Sequence, residues 1–120
     1  MEEAAAIKAL NAISQETRVR IVRYLIGCGD EGSAAGDIGK EVGAEGSRAS
    51  FHLSNLENAG VVTSERQSRK IIYRVDRKLI GQVISFLLND CCDSHPDVVA
   101  CCIGIGENCC ANGVCKNGCC

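Results

Sequence analysis

The chain has 120 residues, with 13 basic against 15 acidic side chains, a formal charge of −2 and ten cysteines. That length allows one modest core, with a tail at most, and no apolar run in it approaches the length of a membrane span. Slight net acidity excludes a protein that is basic over its whole surface, so any contact with nucleic acid must come from a local patch.

Residues 1–14 are alanine-rich, and Ala6, Ile7, Leu10 and Ile13 recur at helical spacing, which predicts a first helix. A helix this apolar can pack on its own core or against a second subunit. A second helix is expected over residues 16–26, with Val19, Val22, Leu25 and Ile26 inward and Arg18, Arg20 and Arg23 in water. The stretch from Gly27 to Ser33 reads as a flexible break in which Cys28 stands alone. Residues 34–42 predict a short third helix with Ile38 and Val42 inward, followed by the turn Gly43-Ala44-Glu45-Gly46.

The stretch from Ser47 to Gly60 organises the rest. Ala49, Leu53 and Leu56 form an apolar face, while Ser47, Arg48, Ser50, Phe51 and Asn55 point outward. Ser47 suits an N-cap and Gly60 follows the last periodic residue, where a helix stops. With the preceding helix and its glycine-containing turn, this makes a helix-turn-helix whose outward face would read DNA. Val61–Glu65 and Lys70–Val75 are β-branched runs around Arg66-Gln67-Ser68-Arg69, a hairpin with Val62 and Ile72 inward. A basic hairpin tip is commonly just a solvated turn; beside a helix-turn-helix it reads as a wing along phosphates, carried by Arg66, Arg69 and Lys70. From Arg48 to Lys78 seven basic residues face three acidic ones, a local charge of +4 that suits contact with the phosphates of double-stranded DNA.

Asp76 to Asp90 predicts the last helix. Leu79, Ile80, Val83, Ile84, Phe86, Leu87 and Leu88 cover more than one of its faces, more than a monomer of this size can bury. A homodimer through the first and last helices is therefore expected, since a two-fold protein matches two half-sites. The fold class expected is mainly α with a β-hairpin wing (α+β), a winged helix-turn-helix over residues 1–90.

Residues 91–120 change composition. Nine of the ten cysteines lie there among glycine and asparagine, with few apolar groups for a core, so a poorly ordered tail is expected in the absence of a ligand. These cysteines cannot staple the body of the fold, and an opening that carries Glu2 and Glu3 is unlike a signal peptide. The expectation is a cytoplasmic protein with reduced thiols and no membrane attachment, in which clustered cysteines mean metal binding or redox chemistry.

The sequence resembles the ArsR/SmtB metalloregulatory repressors over roughly residues 5–90. The likeness rests on Glu16-Thr17-Arg18-Val19-Arg20-Ile21 and on Ser50-Phe51-His52-Leu53-Ser54-Asn55-Leu56. Ala59-Gly60-Val61-Val62 and Ile71-Ile72-Tyr73-Arg74-Val75 complete it. It implies a dimeric repressor that releases operator DNA when a metal or metalloid binds. Arsenic-responsive members carry a Cys-x-Cys pair just before the Asp-Leu of the third helix; the matching positions here are Ala34 and Gly36, before Asp37-Ile38. Members that sense zinc or its neighbours use carboxylates and histidines of the last helix, where only Asp90 and His95 are near. Sensing is therefore expected in the thiol-rich C-terminal region.

Soft thiolates select trivalent arsenic or antimony, copper(I), mercury(II), cadmium and, less selectively, zinc. Trivalent arsenic takes three sulfurs in a pyramid and a methylated form takes two. Adjacent side chains on a helix diverge by about 100°, so Cys91 and Cys92 share an ion only where the helix end frays or each finds another partner. Cys101 and Cys102 lie beyond Pro96, where the chain can turn back with a third sulfur; Cys109 and Cys110 are weaker candidates. The inducer expected is arsenite or antimonite, with no catalytic cofactor. Another soft metal (Cd, Zn, Hg, Cu) and a thiol-redox response are the alternatives, and no Cys-x-x-Cys spacing favours zinc.

The DNA contacts expected are Ser47, Arg48, Ser50, Phe51 and His52, with Arg66, Arg69 and Lys70 on the wing. Arg48 suits a phosphate slightly better than a guanine, and a histidine placed like His52 more often packs or hydrogen-bonds locally. No nucleophile–base constellation or phosphate-binding glycine loop points to an enzyme. The rival from another class is a metal-storage or thiol-redox protein whose helices only dimerise.

Overall fold

The computed structural model describes the backbone of residues 1–103 and the side chains of residues 1–100. The candidate ligands Cys109 and Cys110, and the side chains of Cys101 and Cys102, lie outside the described residues. The chain forms two compact units, Met1–Val83 and Ile84–Cys120. The first holds α1 (Glu3–Ile13), α2 (Glu16–Cys28), a 3-10 turn (Gly29–Glu31), β1 (Ser33–Ala34), α3 (Ala35–Val42) and α4 (Ser47–Asn58). It continues with β2 (Val62–Gln67), β3 (Lys70–Val75) and most of α5 (Arg77–Phe86). The second holds the end of α5, a π-helical turn (Leu87–Cys91) and α6 (Pro96–Ile103). This is the expected winged helix-turn-helix, mainly helical with a small antiparallel sheet. Among the described residues no helix is long and apolar enough to cross a membrane.

The core gathers Ile21 and Leu25 of α2, Ile38 and Val42 of α3, Ala49, Leu53 and Leu56 of α4, and Val61 and Val62. The apolar faces expected of α3 and α4 are the buried ones. α1 differs. Its buried stripe is Ala6, Ala9 and Ala12, while Ile7 is 48% exposed and Leu10 and Ile13 are half-buried. Alanine lets one helix backbone approach another closely, so the small residues face α2 and α4 and the large ones are left outside. In α2 the buried positions are Ile21 and Leu25, whereas Val19 and Ile26 are exposed. Arg18, expected in water, lies three residues before Ile21 on the buried side and is half-buried.

The turn between α3 and α4 depends on glycine at two points. Gly46 has φ 70° and ψ −139°, a combination open only to a residue without Cβ, and it occupies the N-cap expected for Ser47. Ser47 is instead the first helical residue, and no side chain caps the helix. At Gly39 the obstacle is space. A Cβ there would stand 2.9 Å from the Ala44 carbonyl oxygen and 3.3 Å from Ala49 Cβ, so its absence lets α3 and α4 cross closely.

The hairpin is longer than its sequence pattern indicates. β2 runs to Gln67, and the pairing from Val62↔Val75 to Gln67↔Lys70 leaves a two-residue tip, Ser68–Arg69, with Ser68 at φ 57°. A third strand joins where the flexible break and the start of α3 were expected. In β1, Ser33 and Ala34 pair antiparallel with Tyr73 and Ile72, giving the order β1-β3-β2. Two residues are too few to show a period in sequence, yet they turn a marginal two-stranded ribbon into a sheet. At the root of the wing, Arg74 Nε donates to the Asp30 carbonyl oxygen at 2.6 Å, and Arg77 pairs with the Asp30 carboxylate.

α5 begins one residue later than expected because Asp76 is its cap, its carboxylate accepting from the Leu79 N–H at 3.1 Å. Only Val83 is buried on this helix, and Ile84 is 47% exposed. The α-helix ends at Phe86, and the rest of the segment to Cys91 is π-helical. Beyond it, part of the stretch expected to be poorly ordered is helix α6.

Candidate nucleic-acid interface

α4 presents its first two turns to solvent. Ser47, Arg48, Ser50 and Phe51 are all exposed, and the Phe51 ring is 61% exposed. The ring stands on the outward face of α4, among the polar residues expected to meet DNA. Ser50 also lines a groove of about 440 Å³ with Arg69, Lys70, Ile71 and Tyr73 of the wing and with Ala34 to Asp37 at the start of α3. The structure thus brings one helix residue and two wing residues from the expected set to a single groove. Ala34 and Gly36 border it, so the place of the missing Cys-x-Cys pair is an open wall of this groove.

The basic residues divide into two groups. Arg48, Arg66, Arg69 and Lys70 have no acidic partner among the described residues, although Arg66 Nε reaches the Ser68 carbonyl oxygen at 3.5 Å. Arg74 is held by Asp30 and lies 3.6 Å from the Glu65 carboxylate, and Arg77 is paired with Asp30. The local charge of +4 is therefore unevenly usable: the helix and the wing tip keep open cations, while the wing root spends two on its own architecture. The Gln67 side chain and then Arg74 hold the Glu65 carboxyl below its usual range.

His52 is half-buried and hydrogen-bonded, the local role weighed for it in the sequence. Its partner was not foreseen. Arg18 Nε donates to His52 Nδ1 at 3.2 Å, Arg18 Nη1 donates to the Ala12 carbonyl oxygen at 3.2 Å, and the guanidinium carbon stands 5.9 Å from the Phe51 ring centroid. The Phe51 and His52 rings meet edge to face, 5.4 Å apart. Burial first, then the charges of Arg18 and Arg48, push the imidazole pKa below its ordinary value. The signal for Arg18 was available: positions 18, 21 and 25 fall on one helical stripe, and a stripe drawn through Val19 and Val22 hid it.

The thiols described stand at the end of α5. Cys91, the last residue of the π-helical turn, is exposed. Cys92 has left the helix, at φ −104° and ψ 5°, and its N–H reaches the Leu87 carbonyl oxygen at 3.0 Å. Asp93 and Ser94 both adopt φ 51°, which reverses the chain before α6, and the Ser94 hydroxyl donates to Asn89 Oδ1 at 2.9 Å. His95 Nδ1 accepts from the Asp97 N–H at 3.2 Å, so that atom caps α6 rather than standing ready for a metal. Among the described residues no three His, Cys, Asp or Glu side chains converge on one point.

Comparison with known proteins agrees with the fold. The model of the arsR family of bacterial regulatory proteins matches residues 15–64. The HTH-type transcriptional regulator YgaV of Escherichia coli (strain K12) is 31% identical over 91 residues, which span 76% of this chain and 88% of the relative. An ArsR-like transcriptional regulator from Rhodococcus sp. RHA1 superposes with a TM-score of 0.66 at 23% identity, covering 88% of this chain and 95% of that one. The homodimeric winged helix-turn-helix domain of Mb0332 from Mycobacterium bovis gives 0.59 at 19% identity, covering 77% and 85%. The two structures speak to the fold, and YgaV carries the likeness into sequence across most of its own length. With its helix-turn-helix, its open basic wing tip and that likeness in sequence, this chain belongs to the arsR family of bacterial DNA-binding transcriptional regulators.

Proposed function

We propose that the protein is a homodimeric repressor that leaves its operator when trivalent arsenic or antimony, or a methylated arsenite, binds thiolates at the end of α5. The observation that carries the reading is the pair Cys91 and Cys92. The helix ends at Cys91, with Cys92 just past it at φ −104° and ψ 5°, and a helix end is where two adjacent thiols can serve one ion or find separate partners. The reversal at Asp93–Ser94 and the start of α6 at Pro96 lead the chain on to Cys101 or Cys102, the proposed source of a third sulfur. Each thiol gives its proton to an arsenic-bound hydroxyl, which leaves as water while a sulfur–arsenic bond forms. Ser47, Arg48, Ser50, Phe51 and His52 would read the operator, and Arg66, Arg69 and Lys70 would hold its phosphates.

Dimerisation is supported by the unburied Ile7 of α1 and Ile84 of α5, and by the homodimeric Mb0332 domain. Ligand at the end of α5 would reshape that helix at the subunit interface and alter the spacing of the two recognition helices. A coupling of about 1–3 kcal/mol is enough to shift operator occupancy.

The test begins with a duplex selected by the wild-type protein from a randomised pool, followed by fluorescence anisotropy with added arsenite. Wild type should bind the selected duplex and release it. Cys91→Ser with Cys92→Ser should bind equally well and stay bound. Equal release from both proteins would move the sensor away from these residues, and release by cadmium, zinc or copper(I) but not arsenite would reassign the inducer. If no sequence is enriched, the repressor reading fails.

A further inference from the structure

We propose that Arg18 is a positioning residue of the DNA-reading helix, tying the end of α1 to His52 and holding that imidazole in the tautomer that offers Nε2–H outward to an acceptor on DNA. The proposal rests on the outer face of α4 being the DNA-reading face. Three contacts converge on one guanidinium: His52 Nδ1 at 3.2 Å, the Ala12 carbonyl oxygen at 3.2 Å, and the Phe51 ring at 5.9 Å. Arginine has donors and no acceptor, so Nδ1 must present a lone pair, and a neutral imidazole then carries its proton on Nε2. Among the described residues Nε2 has no hydrogen-bond partner and no unpartnered polar side-chain atom is buried, so Nε2 reaches solvent. His52 is one helical turn after Arg48, on the same stripe of α4. The same guanidinium lies against Phe51, so a single α2 side chain fixes two neighbouring residues of the reading face.

The arrangement is sensitive to protonation. The charged groups facing the imidazole are Arg18 from α2 and Arg48 on α4, both cationic, while α1 contributes the Ala12 carbonyl to Arg18. A proton on Nδ1 would set N–H against N–H and place a third positive charge between two others. A histidine that merely met phosphate would hold DNA more tightly once protonated. The tie to Arg18 has the opposite sign: preference for the specific sequence weakens in acid while binding to any duplex persists.

The full chain is tested with Arg18→Met, His52→Asn and His52→Gln. Methionine keeps the apolar stem and removes the donors. Asparagine keeps an acceptor near Nδ1 without the outward N–H, and glutamine does the reverse. Imidazole nitrogen NMR of the free protein should show His52 as the Nε2–H tautomer, and its titration midpoint should rise in Arg18→Met. By anisotropy, Arg18→Met and His52→Gln should each lose about tenfold or more of the preference for the selected duplex over a scrambled one. Wild type should hold that preference above about pH 6.5 and lose it as the pH falls below that, through the lowered value of His52, and Arg18→Met should show no such pH profile. A wild-type Nδ1–H tautomer, or an Arg18→Met protein with unchanged tautomer and midpoint, overturns the proposal. Failure of wild type to select any duplex would overturn the reading of α4, and the spectra would still decide the tie. Should Arg18→Met fail to fold, His52→Asn carries the test: it must fold as wild type and lose the duplex preference, and full preference in that variant overturns the outward donor.

Discussion

His52 carries a consequence for stability that is separate from DNA. Burial and the two arginines lower its pKa in the folded protein, whereas the unfolded chain regains the ordinary value of about 6.5. Between those two values the unfolded state binds a proton that the folded state refuses. Stability from this group is therefore complete above about pH 6.5 and falls as acid carries the pH through the folded value. Denaturant unfolding of wild type and His52→Gln should show a gap that is widest above about pH 6.5 and narrows toward pH 5; a constant gap contradicts the assignment. The basic residues yield a second residue-level expectation. Lys70→Ala should reduce the slope of log affinity against log salt by about 0.9, the value of one phosphate contact on duplex DNA. Arg74→Ala should leave that slope unchanged, because its guanidinium already serves the Asp30 carbonyl and Glu65. The sequence showed which residues of α4 face inward, since Ala49, Leu53 and Leu56 repeat at helical spacing. It gave no hint that Arg74 and Arg69, of the same type and five residues apart, have opposite availability. That depends on a loop 44 residues from Arg74 in the chain.

Among the elements, the crossing of α3 on α4 decides where the helix proposed to read DNA lies, and Gly39 decides how closely they cross. Alanine is favoured over glycine within a helix by about 1 kcal/mol. At Gly39 the neighbours a methyl would meet include the Ala44 carbonyl and the Glu45 Cα, which are backbone and cannot swing aside. Overpacking of this kind costs about 1–3 kcal/mol, so Gly39→Ala should lower stability by up to about 2 kcal/mol net and weaken DNA binding. Gly36→Ala, with open space around it, should be neutral or stabilising in the same melting experiment. Helices α2 to α4 and the hairpin were legible because their patterns run over several turns or pairs. β1 was not, being two residues long, and neither was the π-helical turn, whose apolar spacing continues that of α5 without a break.

For the molecule as a whole, Ile7 and Ile84 are the largest test of the dimer. Burying a side chain of this size yields about 1.5–3 kcal/mol, and a symmetric interface counts each contribution twice. Ile7→Glu and Ile84→Glu should each shift sedimentation toward the monomer and reduce affinity for a two-half-site duplex more than for a single half-site. Unchanged sedimentation in both variants would place the interface elsewhere. The excess of apolar residues that pointed to a partner was visible in the sequence, most plainly in α5. The way α1 contributes was not. Its alanines, rather than its isoleucine and leucine, turned out to serve the protein's own core.

The wing has a root and a reach that obey different rules. β1 pairs only with Tyr73 and Ile72, and past that point the two rungs Arg66↔Ile71 and Gln67↔Lys70 stand as a bare ribbon. The anchored part sets direction and the bare part sets length, so a relative could change one and leave the other alone. Length is nevertheless quantised. One added residue per strand would turn every outward side chain to the opposite face, so the ribbon can grow without rearrangement only by two residues per strand, about 6.8 Å. Along one DNA strand, at about 3.4 Å per nucleotide, that is a step of about two nucleotides. A wing of this design would be expected to evolve its reach along the groove in pairs.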